Sequence, residues 1–115
     1  MTAAKLRKTL LGWPGLTEDI KWGHDRVWSV GGKMFCVLPD DASTGPCFKV
    51  PDEDFLALTD RPGIKPAPYL ARARWVLLDD LKTMPEAELM TAIRGSYALI
   101  KAKLPRKTQR EIDGT

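Results

Sequence analysis

Near the start of the chain Leu6, Leu10 and Trp13 recur at helical spacing beside Lys5, Arg7 and Lys8. That three-to-four spacing predicts an amphipathic helix from Thr2 to Leu11, ended by Gly12 and Pro14-Gly15. Thr17-Glu18-Asp19-Ile20 follows, a cap residue with two acids behind it, which predicts a single helical turn. The period then changes. Arg26 to Val30 and Lys33 to Leu38 are strand-like runs joined by Gly31-Gly32, a link that suits the primed turns of hairpins. A two-residue loop pairs Val30 with Lys33, Trp28 with Phe35 and Arg26 with Val37 on one face, leaving Val27, Ser29, Met34 and Cys36 on the other.

Further along, Pro46 to Val50 alternates as a third strand, and Pro51-Asp52-Glu53-Asp54 opens a short helix holding Phe55, Leu56 and Leu58. Proline restricts Ile64-Lys65-Pro66-Ala67-Pro68 to an extended edge segment, and Tyr69 to Arg72 reads as a turn. Trp75 to Leu78 is a compact β-type run. Thr83-Met84-Pro85-Glu86 has the pattern of a capping box ahead of a long helix, whose apolar stripe is Leu89, Ile93, Tyr97, Ile100 and Leu104, with Ala92 and Ser96 alongside. The order is α-β-β-β-α-β-β-α. It predicts an α+β fold, a two-layer sandwich of helices against one antiparallel sheet. Residues 1–105 form the single domain, and residues 106–115, after Pro105, form a basic, frayed tail.

Composition adds boundaries. At 115 residues, 43% hydrophobic and 29% charged, the chain has the profile of one globular domain, able to bury about two-thirds of its surface. No apolar run reaches membrane-spanning length, and Met1 leads into polar Thr-Ala-Ala-Lys rather than a signal sequence, so no membrane association and a cytoplasmic location are expected. Cys36 and Cys47 stand eleven apart without a CxxC pattern, which predicts reduced thiols and neither a disulfide nor a zinc site.

The net charge of +3 decides little, but its distribution is uneven. Arg61, Lys65, Arg72 and Arg74 form one run without an acid, and Lys101, Lys103, Arg106, Lys107 and Arg110 form another. The acids gather at Asp40-Asp41, Asp52-Glu53-Asp54 and Asp79-Asp80. Such a split suits a solvated surface with cations at the negative pole of a helix first, and a nucleic-acid face second.

Catalytic patterns are sparse. His24 is the single histidine, and on an extended chain its neighbour Asp25 points to the opposite side, so an acid-base pair is disfavoured. Cys36 lies among apolar strand residues, where a thiol is inert. Gly31-Gly32 is flanked by strands on both sides, unlike a phosphate-cradling loop, and the carboxylate runs lack the graded spacing of a calcium loop. A non-catalytic protein without cofactor or metal is expected. Burial is the first explanation for each of the four tryptophans; Trp13 continues a core stripe, whereas Trp28 shares its expected sheet face with Arg26 and Lys33, and Trp75 sits immediately after Arg74. Rings beside cations suit base stacking and phosphate neutralisation, and the same pairing arises where arginine stems cover a core edge.

From Leu6 to Lys107 the string resembles the MmcQ/YjbR-like family of small bacterial proteins. The resemblance rests on Trp13-Pro14-Gly15, Trp22-Gly23-His24, Gly31-Gly32-Lys33-Met34-Phe35, Phe48-Lys49-Val50, the Pro62 to Leu70 segment, Trp75, Ser96-Tyr97 and Lys103-Leu104-Pro105-Arg106-Lys107. Gly23, His24, Gly31, Gly32, Pro66, Pro68, Tyr69 and Trp75 are its motif positions here. The resemblance implies a compact sandwich shaped like secretion chaperones and also likened to frataxin-like folds. It also implies DNA binding through a double-wing surface, a function inferred for the family from shape. Relatives often carry Asn-Lys before the aromatic strand, where this chain has Ala73-Arg74.

Two functions follow as expectations. One is weak, sequence-nonspecific DNA binding by Lys33, Lys65, Arg72, Arg74, Lys101 and Lys103, with Trp75 or Trp28 stacking on bases. The other is a protein partner held on an apolar sheet face around Trp28, Phe35 and Val37, or along Ile64 to Pro68, in the manner of a chaperone.

Overall fold

The computed structural model describes residues 1–41 and 43–114. Helix α1 (Ala3–Leu10) starts where the Thr2 hydroxyl accepts the Lys5 amide at 3.1 Å, and it buries Leu6 and Leu10 one turn apart. Three strands follow, β1 (Leu16–Lys21), β2 (Asp25–Val30) and β3 (Lys33–Pro39). Then come β4 (Cys47–Lys49), α2 (Asp52–Thr59), β5 (Ile64–Pro66), a 3-10 turn (Ala71–Ala73), β6 (Trp75–Leu78), α3 (Glu86–Lys101) and α4 (Arg106–Ile112). All strand pairs are antiparallel, in the order β1-β2-β3-β4-β6-β5. This is the expected α+β architecture, with one more strand and one more helix than the sequence pattern indicated.

The added strand is β1. Thr17 to Ile20 does not form a helical turn: Leu16 to Lys21 pairs along the whole of β2. Glu18 decides this. Its carboxylate accepts from Arg7 of α1 at 2.8 Å, from Arg26 at 3.0 Å and from the buried Trp28 indole at 2.9 Å, partners that a local helical turn would not reach. The added helix is α4. Residues 106–112 do not fray, because Gln109 donates to the carbonyls of Leu104 (2.8 Å) and Ala102 (3.3 Å), and Ile112 packs on the main core. The Thr83 capping box does not form either. Thr83 Oγ1 accepts the Asp80 amide at 3.1 Å, and Pro85, not Thr83, is the N-cap of α3, with no side-chain cap bond.

The Gly31-Gly32 hairpin forms as expected, with a different register beyond the turn. Val30 pairs with Lys33 and Ser29 with Met34, but a bulge at Phe35 then sets Trp28 opposite Cys36 and Val27 opposite Val37. Phe35 is therefore the extra residue, not the partner of Trp28. Its ring packs edge-on against Tyr97 (5.4 Å) and stacks on Trp13 (6.1 Å), and its carbonyl accepts from Ser96 of α3 at 2.7 Å. Gly31 is required twice over: its φ is +56°, and a Cβ there would stand 2.5 Å from the Leu104 side chain, between α3 and α4.

The sheet divides the apolar residues into two sets. Trp28, Val30, Phe35, Cys36, Leu38, Phe48, Val76 and Leu78 pack with Leu6 and Leu10 of α1 and Leu89, Ile93 and Tyr97 of α3. On the opposite face Val27, Val37, Ala67 and Trp75 form a smaller cluster with Met34, Cys47, Leu70 and Leu77. The helices thus cover one face, and the other is partly roofed by the chain from Ala67 to Leu70. Among the described residues no helix is long and apolar enough to cross a membrane.

Candidate functional site

The register gathers cations from distant parts of the chain at one end of the sheet. Lys49 closes β4 opposite Trp75, the first residue of β6, so Arg74 lies just beyond it and Arg72 in the preceding 3-10 turn. Lys33 opens β3 at this same end, since Cys36 already pairs with Phe48. The Gly31 turn rests against Leu104, which brings the end of α3 and Lys103 to the same side. Sequence separations of up to 70 residues among these groups are closed only by the fold.

Lys49 is the centre of this arrangement, and composition did not single it out. It is buried, its ammonium donates to the Ala73 carbonyl, and its backbone amide donates to Ser96 Oγ at 3.0 Å. Burial lowers its pKa first; the charges of Lys103 and Arg74 lower it further, and Asp52 opposes them. Arg74 is held in the left-handed region at φ +63°, with its guanidinium 5.4 Å above the Phe55 ring and 3.5 Å from Asp52. Arg72, Lys33 and Lys103 are exposed.

The remaining sequence candidates divide. Lys65 is exposed on the edge strand β5, opposite Leu77 and away from the Lys49 end. Lys101 is paired with Asp113 of the segment after α4. Trp75 is 3% exposed in the smaller core cluster, and Trp28 is wholly buried beneath the helices with its indole on Glu18, so neither ring is open to a stacking base. Hydrophobic burial at the sheet outweighs any surface role for these two rings. The protein-docking surface expected around Trp28 and Phe35 fails for the same reason: both lie in the helix-covered core, and of that trio only Val37 faces the other side.

The motif positions are mostly structural. Gly31 and Gly32 form the turn, Gly23 takes φ +87° between β1 and β2, and Pro66 ends the edge strand β5. His24 is exposed, its carbonyl accepting the Asp40 amide at 2.7 Å. Burial raises the Cys36 thiol well above its ordinary range, and raises Cys47 to about 12, with the Asp25 charge adding to it. Both thiols are held protonated, the opposite of what a nucleophile needs. Pro68 and Tyr69 stand elsewhere, on the rim of an apolar groove of 580 Å³ on the face away from the helices.

A family model described as YjbR matches residues 11–99. Among solved structures, Deinococcus radiodurans protein DR2400, described with the family-model domain DUF419, has a TM-score of 0.87 and 24% identity, over 97% of this chain and 88% of that one. A protein from Pseudomonas syringae has a TM-score of 0.69 at 19% identity, over 87% of this chain and 99% of the other. Both likenesses show a shared fold. No curated protein matches the sequence. The matched span runs from the end of α1 through all six strands and most of α3, and on that match the chain belongs to the MmcQ/YjbR family.

Proposed function

We propose that the protein is a non-catalytic DNA-binding protein that takes phosphates at the basic end of its sheet, with little base preference. The observation that supports this most directly is the crowding on Lys49. The Lys49 ammonium, tied to the Ala73 carbonyl, has Lys103 and Arg74 close enough to depress its pKa against the opposing charge of Asp52, and an anion that bridges the three cations relieves their repulsion. Lys33 and Arg72 extend the patch outward. Because Trp28 and Trp75 are enclosed, the contact is with the backbone of the nucleic acid rather than with its bases.

Affinity for a short duplex measured across a salt series tests the reading. Five cations on phosphate give a slope of log affinity against log salt of about −4.5. Replacing Arg72 and Arg74 together by alanine removes two contacts and brings the slope to about −2.7. Affinity that does not change with salt, or a double variant with the native slope, refutes the assignment.

A further inference from the structure

Two aromatic residues occupy backbone positions that ordinarily belong to glycine or asparagine. Tyr69 has φ +65° in the turn closed by the Leu70 amide on the Ala67 carbonyl (3.1 Å), where Pro68 precedes it and glycine is the usual occupant. Trp22 has φ +52° and is followed by Gly23 at +87° in the three-residue loop between Lys21 and Asp25, a left-handed position that glycine or asparagine ordinarily takes. A bulky residue held there costs of the order of 1–3 kcal/mol. Burial does not repay it: Trp22 is 67% exposed, and Tyr69 is fully exposed.

Both strained rings line the same groove. Its floor is Met34, Val37, Cys47, Leu70 and Leu77, and its volume of 580 Å³ lies within the range of small-molecule sites. Among the lining residues the one charged group is Asp25, at the opening of β2. Asp25 is half-buried, and its carboxylate makes no hydrogen bond or ion pair among the described residues, although Lys21 is its cross-strand partner. Its charge reaches the Cys47 thiol on the groove floor, so it acts on the groove interior. An apolar trough with an unpaired carboxylate at one side and two electron-rich ring faces at its mouth complements a positive charge carried on an apolar body.

We propose that this groove is a binding site for a small organic cation, an alkylated ammonium on an aromatic or branched apolar body, with Asp25 opposite the charge and Trp22 and Tyr69 stacked on the ligand. The site lies toward the Asp25 end of the sheet, away from Lys49, and does not depend on DNA binding.

The test is calorimetric titration of the full chain with 4-tert-butylbenzyl-trimethylammonium and with 4-tert-butylbenzoate, which share an apolar body and differ in charge. The cation binds at least about tenfold more tightly than the anion, Asp25→Asn removes most of that preference, and Trp22→Gly and Tyr69→Gly each weaken the cation several-fold. Equal binding of the two probes, an unchanged preference in Asp25→Asn, or no heat from the cation up to about 5 mM, where even a weak site of this kind would register, overturns the proposal. Thermal unfolding of the glycine variants separates ligand binding from a structural role. If the rings serve a ligand, relief of the strained backbone leaves Tm equal or higher. A marked fall in Tm assigns them to the fold and also overturns the proposal.

Discussion

Ser96 joins the fold to the basic site, and removing its hydroxyl has a consequence that can be worked out. It is fully buried on α3, donates to the Phe35 carbonyl at 2.7 Å and accepts the Lys49 amide at 3.0 Å. One oxygen thus serves both the bulge of β3 and the end of β4. Ser96→Ala deletes both bonds and leaves a carbonyl and an amide buried without partners. Each orphaned group costs about 1–3 kcal/mol, and partial relaxation brings the expected loss to about 2–4 kcal/mol. The vacated space is that of a single oxygen, too small to admit a water that would re-satisfy them. For a chain of this length about 4 °C of Tm accompanies each kcal/mol, so Tm falls by about 8–15 °C. Urea unfolding measures it directly: the midpoint moves down while the slope stays constant, because the surface exposed on unfolding is nearly unchanged. A loss below about 0.5 kcal/mol, the size of an ordinary surface substitution, would refute the reasoning. So would a changed slope, which would mean that the variant altered the folded or unfolded state as a whole.

Two other outcomes follow from charge and burial. The Arg7 hydrogen bond, aided by Trp28 and Arg26, holds the Glu18 carboxyl below its ordinary value of 4.5. The unfolded chain therefore takes up that proton first, so the stability Glu18 contributes is present above about pH 4.5 and is lost as pH falls through the folded-state pKa. Against wild type, Glu18→Gln shows a flatter decline in urea stability below pH 4.5, and parallel curves would contradict the assignment. The thiols give the third outcome. With Cys47 raised to about 12 and Cys36 raised well above its ordinary range by burial, iodoacetamide at pH 8 modifies neither in the native protein and both after denaturation; rapid native labelling of either would show the packing around it to be wrong.

The elements that sequence made legible are those whose signals are local. The Gly31-Gly32 turn, the stripe of Leu89, Ile93 and Tyr97, the Pro51 helix start and the proline-restricted edge at Ile64 to Pro66 all formed where the periodicity and turn chemistry placed them. Each depends on residues within a few positions of one another, and there propensity and burial agree. The family resemblance was legible for the same reason, as a string of turn and aromatic signatures in fixed order, and the family model bears it out.

Tertiary contacts decided the rest. Thr17-Glu18-Asp19 has the composition of a helix start, and it became a strand because Glu18 found Arg7, Arg26 and Trp28. The hairpin register slipped at Phe35 because its ring and carbonyl were taken by Tyr97 and Ser96, more than sixty residues away. The tail became α4 because Gln109 and Ile112 had the end of α3 and the core to dock on. The basic site follows the same logic: Lys49 is one lysine in a short strand until the sheet sets Arg74 and Lys103 beside it. The basic neighbours of Trp28 and Trp75 fit both a base-stacking surface and an arginine-covered core edge, and the structure buries both rings: a side chain's face depends on register, and register is fixed by contacts across the sheet. Sequence determined which segments extend, coil and turn, because those are short-range balances of propensity and patterning. Which groups meet, and so where charge and exposed aromatic surface accumulate, was decided only when distant segments packed, because burial and hydrogen bonding reward those meetings irrespective of separation along the chain.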